Sequence, residues 1–167
     1  MTSRIDGVGS KCEFITAKCA DEKSVAIVGV RNVHGDLVVP AELGGFSVVG
    51  IRNSAFQGCT ALKSVEIPDS VTSIGNGAFR RCRGLMDVAI PSGVESIGRF
   101  AFEECISLAS VAMPSSVERI GYGAFNDTAL KTICISTGDS GRIKKLLEDS
   151  GHKIGGIKFV EREADVQ

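Results

Sequence analysis

The sequence predicts a repeat solenoid, and three observations carry that expectation. The first is a period of 23 residues that aligns Phe56, Phe79, Phe102 and Phe125, each preceded by an alanine (Ala55, Ala78, Ala101, Ala124). The second is constancy of phase. Cys59, Cys82 and Cys105, then Leu62, Leu85 and Leu108, then Val65, Val88 and Val111, then Ile67, Ile90 and Met113 recur in step. The third is that each period contains a short alternating run closed by a proline, at Pro68, Pro91 and Pro114. Apolar identity at fixed phase, with drift between, is what stacked coils require, because each residue rests on its equivalent one coil away.

Each coil divides into three parts. Residues 64–68 (SVEIP) alternate polar and apolar, which predicts a strand facing the core with Val65 and Ile67. Residues 71–75 (VTSIG) form a second extended or turning piece with Val71 and Ile74 inward. In residues 76–85, Ala78, Phe79, Cys82 and Leu85 have the three-and-four spacing that loads one face, which predicts a short helical turn. Proline after the strand removes a donor and ends regular pairing, and Gly75, Gly98 and Gly121 are assigned to the following bend. With strands about 4.8 Å apart, about five coils make a rod of roughly 20 to 25 Å before caps.

Taken in order, residues 12–19 and 23–30 read as two strands around the Ala20-Asp21-Glu22 turn, an N-terminal hairpin that hides the open end of the core. Residues 37–40 then play the strand-then-proline part of the later coils. An excess in AELGGFSV makes a bulging loop with Phe46 as its anchor. These features place a cap and irregular first coil at 1–47 and the repeats at 48–136. The last repeat is defective: one residue is missing between Phe125 and Leu130, Thr128 stands for the cysteine and Ser136 for the proline. Residues 137–160 read as a C-terminal helix-strand cap. Asp139 or Ser140 caps a helix over 141–150, with Ile143, Leu146 and Leu147 on its apolar face. Gly151 supplies a left-handed stop, and a strand follows at 157–160. Residues 161–167 are expected to be a tail, and 1–167 a single domain.

A period in the low twenties fits a leucine-rich-repeat coil. The string IPDSVTSIGNGAFRRCRGL, echoed by IPSGVESIGRFAFEECISL and MPSSVERIGYGAFNDTAL, resembles the BspA-like leucine-rich repeat family. The likeness covers about half of the chain through the repeats. It implies surface or secreted adhesion-type proteins of bacteria and some protists that bind host or matrix proteins, and it brings no catalytic motif.

Composition narrows the function classes. A net charge of −1, no basic tract, no tryptophan and a single tyrosine, Tyr122, argue against a nucleic-acid partner. No apolar run approaches the length of a membrane span, so membrane insertion is not expected. The opening MTSRIDGVGS lacks the apolar core of a signal peptide. A natural start at Met1 would therefore mean a cytoplasmic protein, whereas the family resemblance implies a secreted or surface location. Six cysteines raise the question of disulfides. Cys59, Cys82 and Cys105 fall on one inward ladder with parallel side chains, and Cys12 and Cys19 have opposite parity on one strand, so free thiols are expected.

Candidates for chemistry are few. His34 and His152 each sit in a solvent-type turn, far apart in sequence, and no zinc-type cysteine spacing occurs, so neither catalysis nor a metal or cofactor is expected. Gly138-Asp139-Ser140-Gly141 before Lys144 and Lys145 lacks phosphate-loop spacing and reads as helix capping. Arg80, Arg81, Arg83 and Arg99 form a basic patch, but Glu103 and Glu104 lie 23 residues from Arg80 and Arg81, which predicts charge pairs across coils. Cys134 aligns with Glu66, Ala89 and Ala112 on the outward side of the strand, either covered by the cap or accessible.

What remains is surface. The outward ladders are Lys63, Met86, Ala109 and Lys131, then Ser64, Asp87, Ser110 and Thr132, then Glu66, Ala89 and Ala112. This face is small and mildly apolar towards its centre, a character suited to recognition of another protein. The expectation is a non-enzymatic, monomeric adhesion module that binds a host or extracellular-matrix protein through this face. The alternative is a spacer or stalk that displays other domains and has no ligand of its own.

Overall fold

The computed structural model describes residues 2–7 and 10–162. Three antiparallel strands open the chain: β1 (Thr2–Gly7), β2 (Ser10–Lys18) and β3 (Ser24–Arg31). The β2–β3 hairpin is the one expected, while β1, to which the sequence reading gave no element, adds a further strand outside it. Asp21 tightens the hairpin turn by accepting hydrogen bonds from the Lys23 and Ser24 amides at 3.0 Å. Strands β4 (Gly35–Val38), β5 (Glu42–Leu43) and β6 (Phe46–Ile51) follow.

Beyond them, long-face strands alternate with two-residue strands. The series runs β7 (Leu62–Glu66), β8 (Ser73–Ile74), β9 (Asp87–Ala89), β10 (Ser96–Ile97), β11 (Ser110–Met113), β12 (Arg119–Ile120) and β13 (Thr132–Ser136). A helix, α1 (Ser140–Asp149), and β14 (Lys158–Arg162) complete the chain. The fold is a solenoid with two sides of parallel strands. One side stacks β3, β6, β8, β10 and β12. The other carries β4, β7, β9, β11, β13 and β14; Met86 N–H donates to Lys63 O at 3.2 Å where β7 meets β9.

The register matches the 23-residue alignment: Val88 pairs Val111 and Ile74 pairs Ile97. The irregular first coil falls in line, with Leu37 opposite Val65. Six strands on the second side exceed the five coils expected, because β14 pairs in parallel with β13, Phe159 opposite Ile133. The helix-strand cap is thus itself a last coil. Glu161 and Arg162, assigned to the tail, belong to β14, and residues 163–167 lie outside the described residues.

The column at 76–85 and its equivalents is where the helical expectation changes. Individual turns do close, as Gln57 N–H to Ser54 O and Cys59 N–H to Phe56 O, but no continuous helix forms. Alternate amides point along the solenoid axis instead: Phe56, Phe79 and Phe102 donate to Ala78, Ala101 and Ala124, each at 2.7 Å. Left-handed residues enforce this in two ladders. Ser54, Gly77, Phe100 and Gly123 have φ of 58, 59, 56 and 67°, and Gly58, Arg81, Glu104 and Asp127 have 76, 62, 58 and 54°. Five of these eight are not glycine, a cost that repetition and packing must outweigh. The alanine-phenylalanine spacing therefore reports a stacked turn in which every second amide serves the next coil.

The core follows the ladders. Phe56, Phe79 and Phe102 are fully buried and stack with Phe125 at centroid distances of 4.8, 5.2 and 5.2 Å, nearly parallel. Gly75, Gly98 and Gly121 serve proximity rather than the bend: a Cβ there would lie 2.6, 2.5 and 2.4 Å from the backbone of the preceding coil. In the insertion, Leu43 is the buried anchor at 2% exposure, and Phe46 is half-buried beneath the Lys18 ammonium, 4.9 Å from its ring centroid. The short β5–β6 hairpin turns Leu43 inward, which is why it takes the place expected of Phe46. At the far end, Arg142 ties α1 to the fifth coil by donating to the carbonyls of Ser115 and Val117. Asp139 stands at the N-cap of α1 without making a side-chain capping bond; its carboxylate takes Arg142 Nε at 3.1 Å instead. Gly151 is left-handed at φ 86°, with His152 N–H to Leu147 O and Gly151 N–H to Glu148 O closing the helix end as expected.

Candidate functional site

The eleven residues singled out for recognition fall on one face, the outer side of β7, β9, β11 and β13 and the residues leading into them. Lys63, Glu66, Met86, Asp87, Ala89, Ala109 and Lys131 are exposed; Ser64, Ser110, Ala112 and Thr132 are half-buried. Parallel pairing fixes their columns. Ser110 lies between Asp87 and Thr132, and Ala112 between Ala89 and Cys134. Lys63, Met86, Ala109 and Lys131 form a third column knit by backbone bonds of 2.9 to 3.2 Å.

Two ends of this face were not among the sequence candidates. Asp36 and Val38 extend it beside β7, with Val38 63% exposed and Asp36 accepting the Ser64 hydroxyl at 2.6 Å. Lys158, Val160 and Arg162 extend it beyond β13. Alignment of Val38 with Glu66 was available from the strand-then-proline match; β14 was hidden because 26 residues, not 23, separate Ile133 from Phe159.

Electrostatically the face is unlike the turn column. Arg80 pairs with Glu103 at 2.5 Å, and Arg81 with Glu104 at 3.0 Å, as the register predicted; Arg83 also reaches Glu104, at 3.5 Å. Arg81, followed by the other arginines, holds the Glu104 carboxyl below the usual carboxylate range. On the strand face, by contrast, Lys63, Glu66, Asp87, Lys131, Lys158 and Arg162 enter no ion pair among the described residues. Its recess, about 180 Å³, is lined by Ile90, Ala112, Met113, Pro114, Cys134 and Arg162. A larger groove, about 550 Å³, runs over the two-residue strands past Ser73, Ser96, Arg99, Arg119 and Asp149. Its floor is the glycine ladder 75, 98, 121, emptied of side chains by coil packing, so its volume is a by-product of the stack.

The remaining candidates resolve as structural parts. All six cysteines are free thiols. Cys82 and Cys105 are buried and donate to the carbonyls of Phe56 and Phe79 at 3.1 Å, whereas Cys59, in the first regular repeat next to the irregular coil, is only half-buried. Hydrogen bonds with Cys105 and Cys59, and then burial, raise the Cys82 pKa; burial first, and then the neighbouring Cys59, push the Cys12 thiol up to about 11. Cys134 is covered, 8% exposed, with Val160 of β14 alongside. Lys144, near the Gly138–Gly141 segment, lies 4.9 Å over the Phe159 ring. His34 is exposed in the first coil, while His152 belongs to the last and does not occupy a solvent turn: its ring packs on Phe125, 5.7 Å away. Among the described residues no three His, Cys, Asp or Glu side chains gather as a metal site, and no helix is long and apolar enough to cross a membrane.

With coil, register and face established, comparison with known proteins decides the family. The description "BspA type Leucine rich repeat region (6 copies)" matches residues 46–146. The chain belongs to the BspA-type leucine-rich-repeat family. Solved leucine-rich-repeat structures are similar. A leucine-rich repeat protein of T. pallidum is 27% identical with a TM-score of 0.59, covering 72% of this chain and 68% of that one. One from Bacteroides ovatus is 26% identical, TM-score 0.67, covering 89% of this chain and 36% of that one. One from Bacteroides capillosus is 25% identical, TM-score 0.65, covering 80% and 99%. No curated protein matches the chain.

Proposed function

We propose that this chain is a non-enzymatic protein-binding module of adhesion type, acting at the cell surface or after secretion, which engages a host or extracellular-matrix protein through its strand face. The observation that carries this reading is the contrast in surface chemistry. The turn column pairs Arg80, Arg81 and Arg83 with Glu103 and Glu104 across coils, whereas Lys63, Glu66, Asp87 and Lys131 of the strand face enter no ion pair among the described residues and surround the small and apolar residues Met86, Ala89, Ala109 and Ala112. A face of small side chains among exposed charges without ion-pair partners offers desolvatable area together with orienting groups, the anatomy of a recognition surface. The BspA-type family membership agrees with it.

The test is a binding assay of the immobilised chain against a panel of extracellular-matrix proteins and anionic glycans at low and physiological salt. Saturable protein binding at physiological salt that is lost in Ala89→Arg/Ala112→Arg supports the reading. Binding to glycans alone that disappears with salt would move the site to arginines off this face. A second reading, a spacer displaying other domains, draws on the B. ovatus protein, of which this chain spans only 36%; silence across the panel would favour it.

A further inference from the structure

The amides that point along the axis from the turn column each need an acceptor in the next coil. For Phe56, Phe79 and Phe102 that acceptor is a backbone carbonyl, of Ala78, Ala101 and Ala124. At Phe125 the array has no further coil of this kind. The acceptor there is a side chain, His152 Nε2, at 3.0 Å. The same imidazole extends the phenylalanine stack, 5.7 Å from Phe125 and tilted by 54°. One residue thus replaces both the carbonyl and the ring that a sixth turn would bring. A carbonyl does not take up a proton at physiological pH, and an imidazole does.

We infer that His152 is a proton-sensitive latch that closes the C-terminal end of the solenoid when neutral and releases it when protonated. To accept the Phe125 N–H, Nε2 must keep its lone pair, so the ring carries its proton on Nδ1. A second proton on Nε2 sets donor against donor, in a site walled by Phe125 and Leu147. The segment 151–157 then loosens from the fifth coil, uncovering the Phe125 ring and amide. Arg142, bound to the Ser115 and Val117 carbonyls, continues to hold the start of α1.

Asp127 on the opposing turn and Lys153 on its own loop line the same cavity of about 330 Å³ as the imidazole, and Glu148 and Asp149 stand at the end of α1, with Asp149 on the groove over the two-residue strands. Burial pushes the imidazole below its ordinary 6.5. A pKa lower in the closed state means that the opened state binds more protons below pH 6.5. Closure is therefore complete above that pH and weakens as pH falls through it.

The inference is independent of what the strand face binds. Its test is residue-resolved amide exchange of the whole chain at pH 7.5 and 5.5, corrected for intrinsic rates, in the parent and in His152→Gln, whose amide oxygen accepts without titrating. In the parent, protection at Phe125 should fall on acidification by up to about tenfold for each unit of pKa depression, while Phe79 keeps its protection. In His152→Gln, Phe125 should show no such fall. Equal protection at both pH values in the parent, or an equal fall in both proteins, overturns the latch. Should the variant fail to fold, imidazole titration of the parent decides. The chain has only two histidines, so His34→Gln assigns the signals. A His152 pKa below 6.5 supports closure by the neutral ring, and a value at or above it rejects it.

Discussion

The turn column and the strand face are built from the same coils, yet they use their side chains in opposite ways. In the turn column the ladder residues are turned inward or sideways: rings stack at 4.8 to 5.2 Å, thiols bond to carbonyls of the preceding coil, and arginines meet glutamates one coil on, while Ile106 and Tyr122 stand exposed. On the strand face the backbone ladder runs from β9 to β14 and from β4 to β7, joined by the Met86–Lys63 bond, but the outward side chains satisfy little among themselves. The difference teaches that a solenoid can separate the residues that hold it together from those it presents. Mutations on the two sides should therefore read out differently.

The largest effect is expected in the stack. Phe79→Ala removes a ring held between two others and should destabilise the chain by about 3 to 5 kcal/mol, measured by chemical denaturation. A variant that melts like the parent would break the claim that the turn column is the mechanical spine. Next is Gly98→Ala, whose Cβ would lie 2.5 Å from the Asn76 amide and the Gly75 carbonyl carbon. Overpacking of this kind costs about 1 to 3 kcal/mol. Gly141→Ala, in open space on α1, is its control and should be neutral or stabilising.

Smaller still is Glu104→Gln, which removes the partner of Arg81 at the exposed surface. Its folded pKa lies below the usual value, so the carboxylate stabilises the fold above pH 4.5 and that contribution fades as acid protonates it. The melting temperatures of parent and Glu104→Gln should differ slightly at pH 7, and the difference should shrink as pH falls below 4.5. The least disturbance to stability is expected from Ala89→Arg/Ala112→Arg, within about 0.5 kcal/mol at the exposed Ala89 and more at the half-buried Ala112, although it is the variant expected to abolish partner binding. A large drop in its melting temperature would erase the contrast between the two sides.

Much of this was legible in the chain. The strand columns, their register and the Arg81–Glu104 pairing follow from identities at one pitch, because in-register stacking makes sequence period and spatial adjacency the same thing; the Leu37 coil follows from the strand-then-proline match across its insertion. Three features were not. The column at 76–85 has the residue spacing of a helix, and only the direction of its amides, towards the neighbouring coil, separates a stacked turn from a helical one. Gly98 looks like a residue needed for its own torsion angles and is needed for the neighbour's proximity. The last coil breaks the period, so neither β14 nor the place of His152 could be read from alignment.

The sequence by itself determined the solenoid, the phase of its core and the side from which each coil presents its polar residues, since these depend on repeated local pattern. Tertiary structure decided how the array ends. There the period stops, and which group takes the last amide and the last ring contact depends on where α1 returns the chain. That return is fixed by contacts of Arg142, Leu147 and Gly151 with residues more than twenty positions earlier, contacts no local pattern encodes.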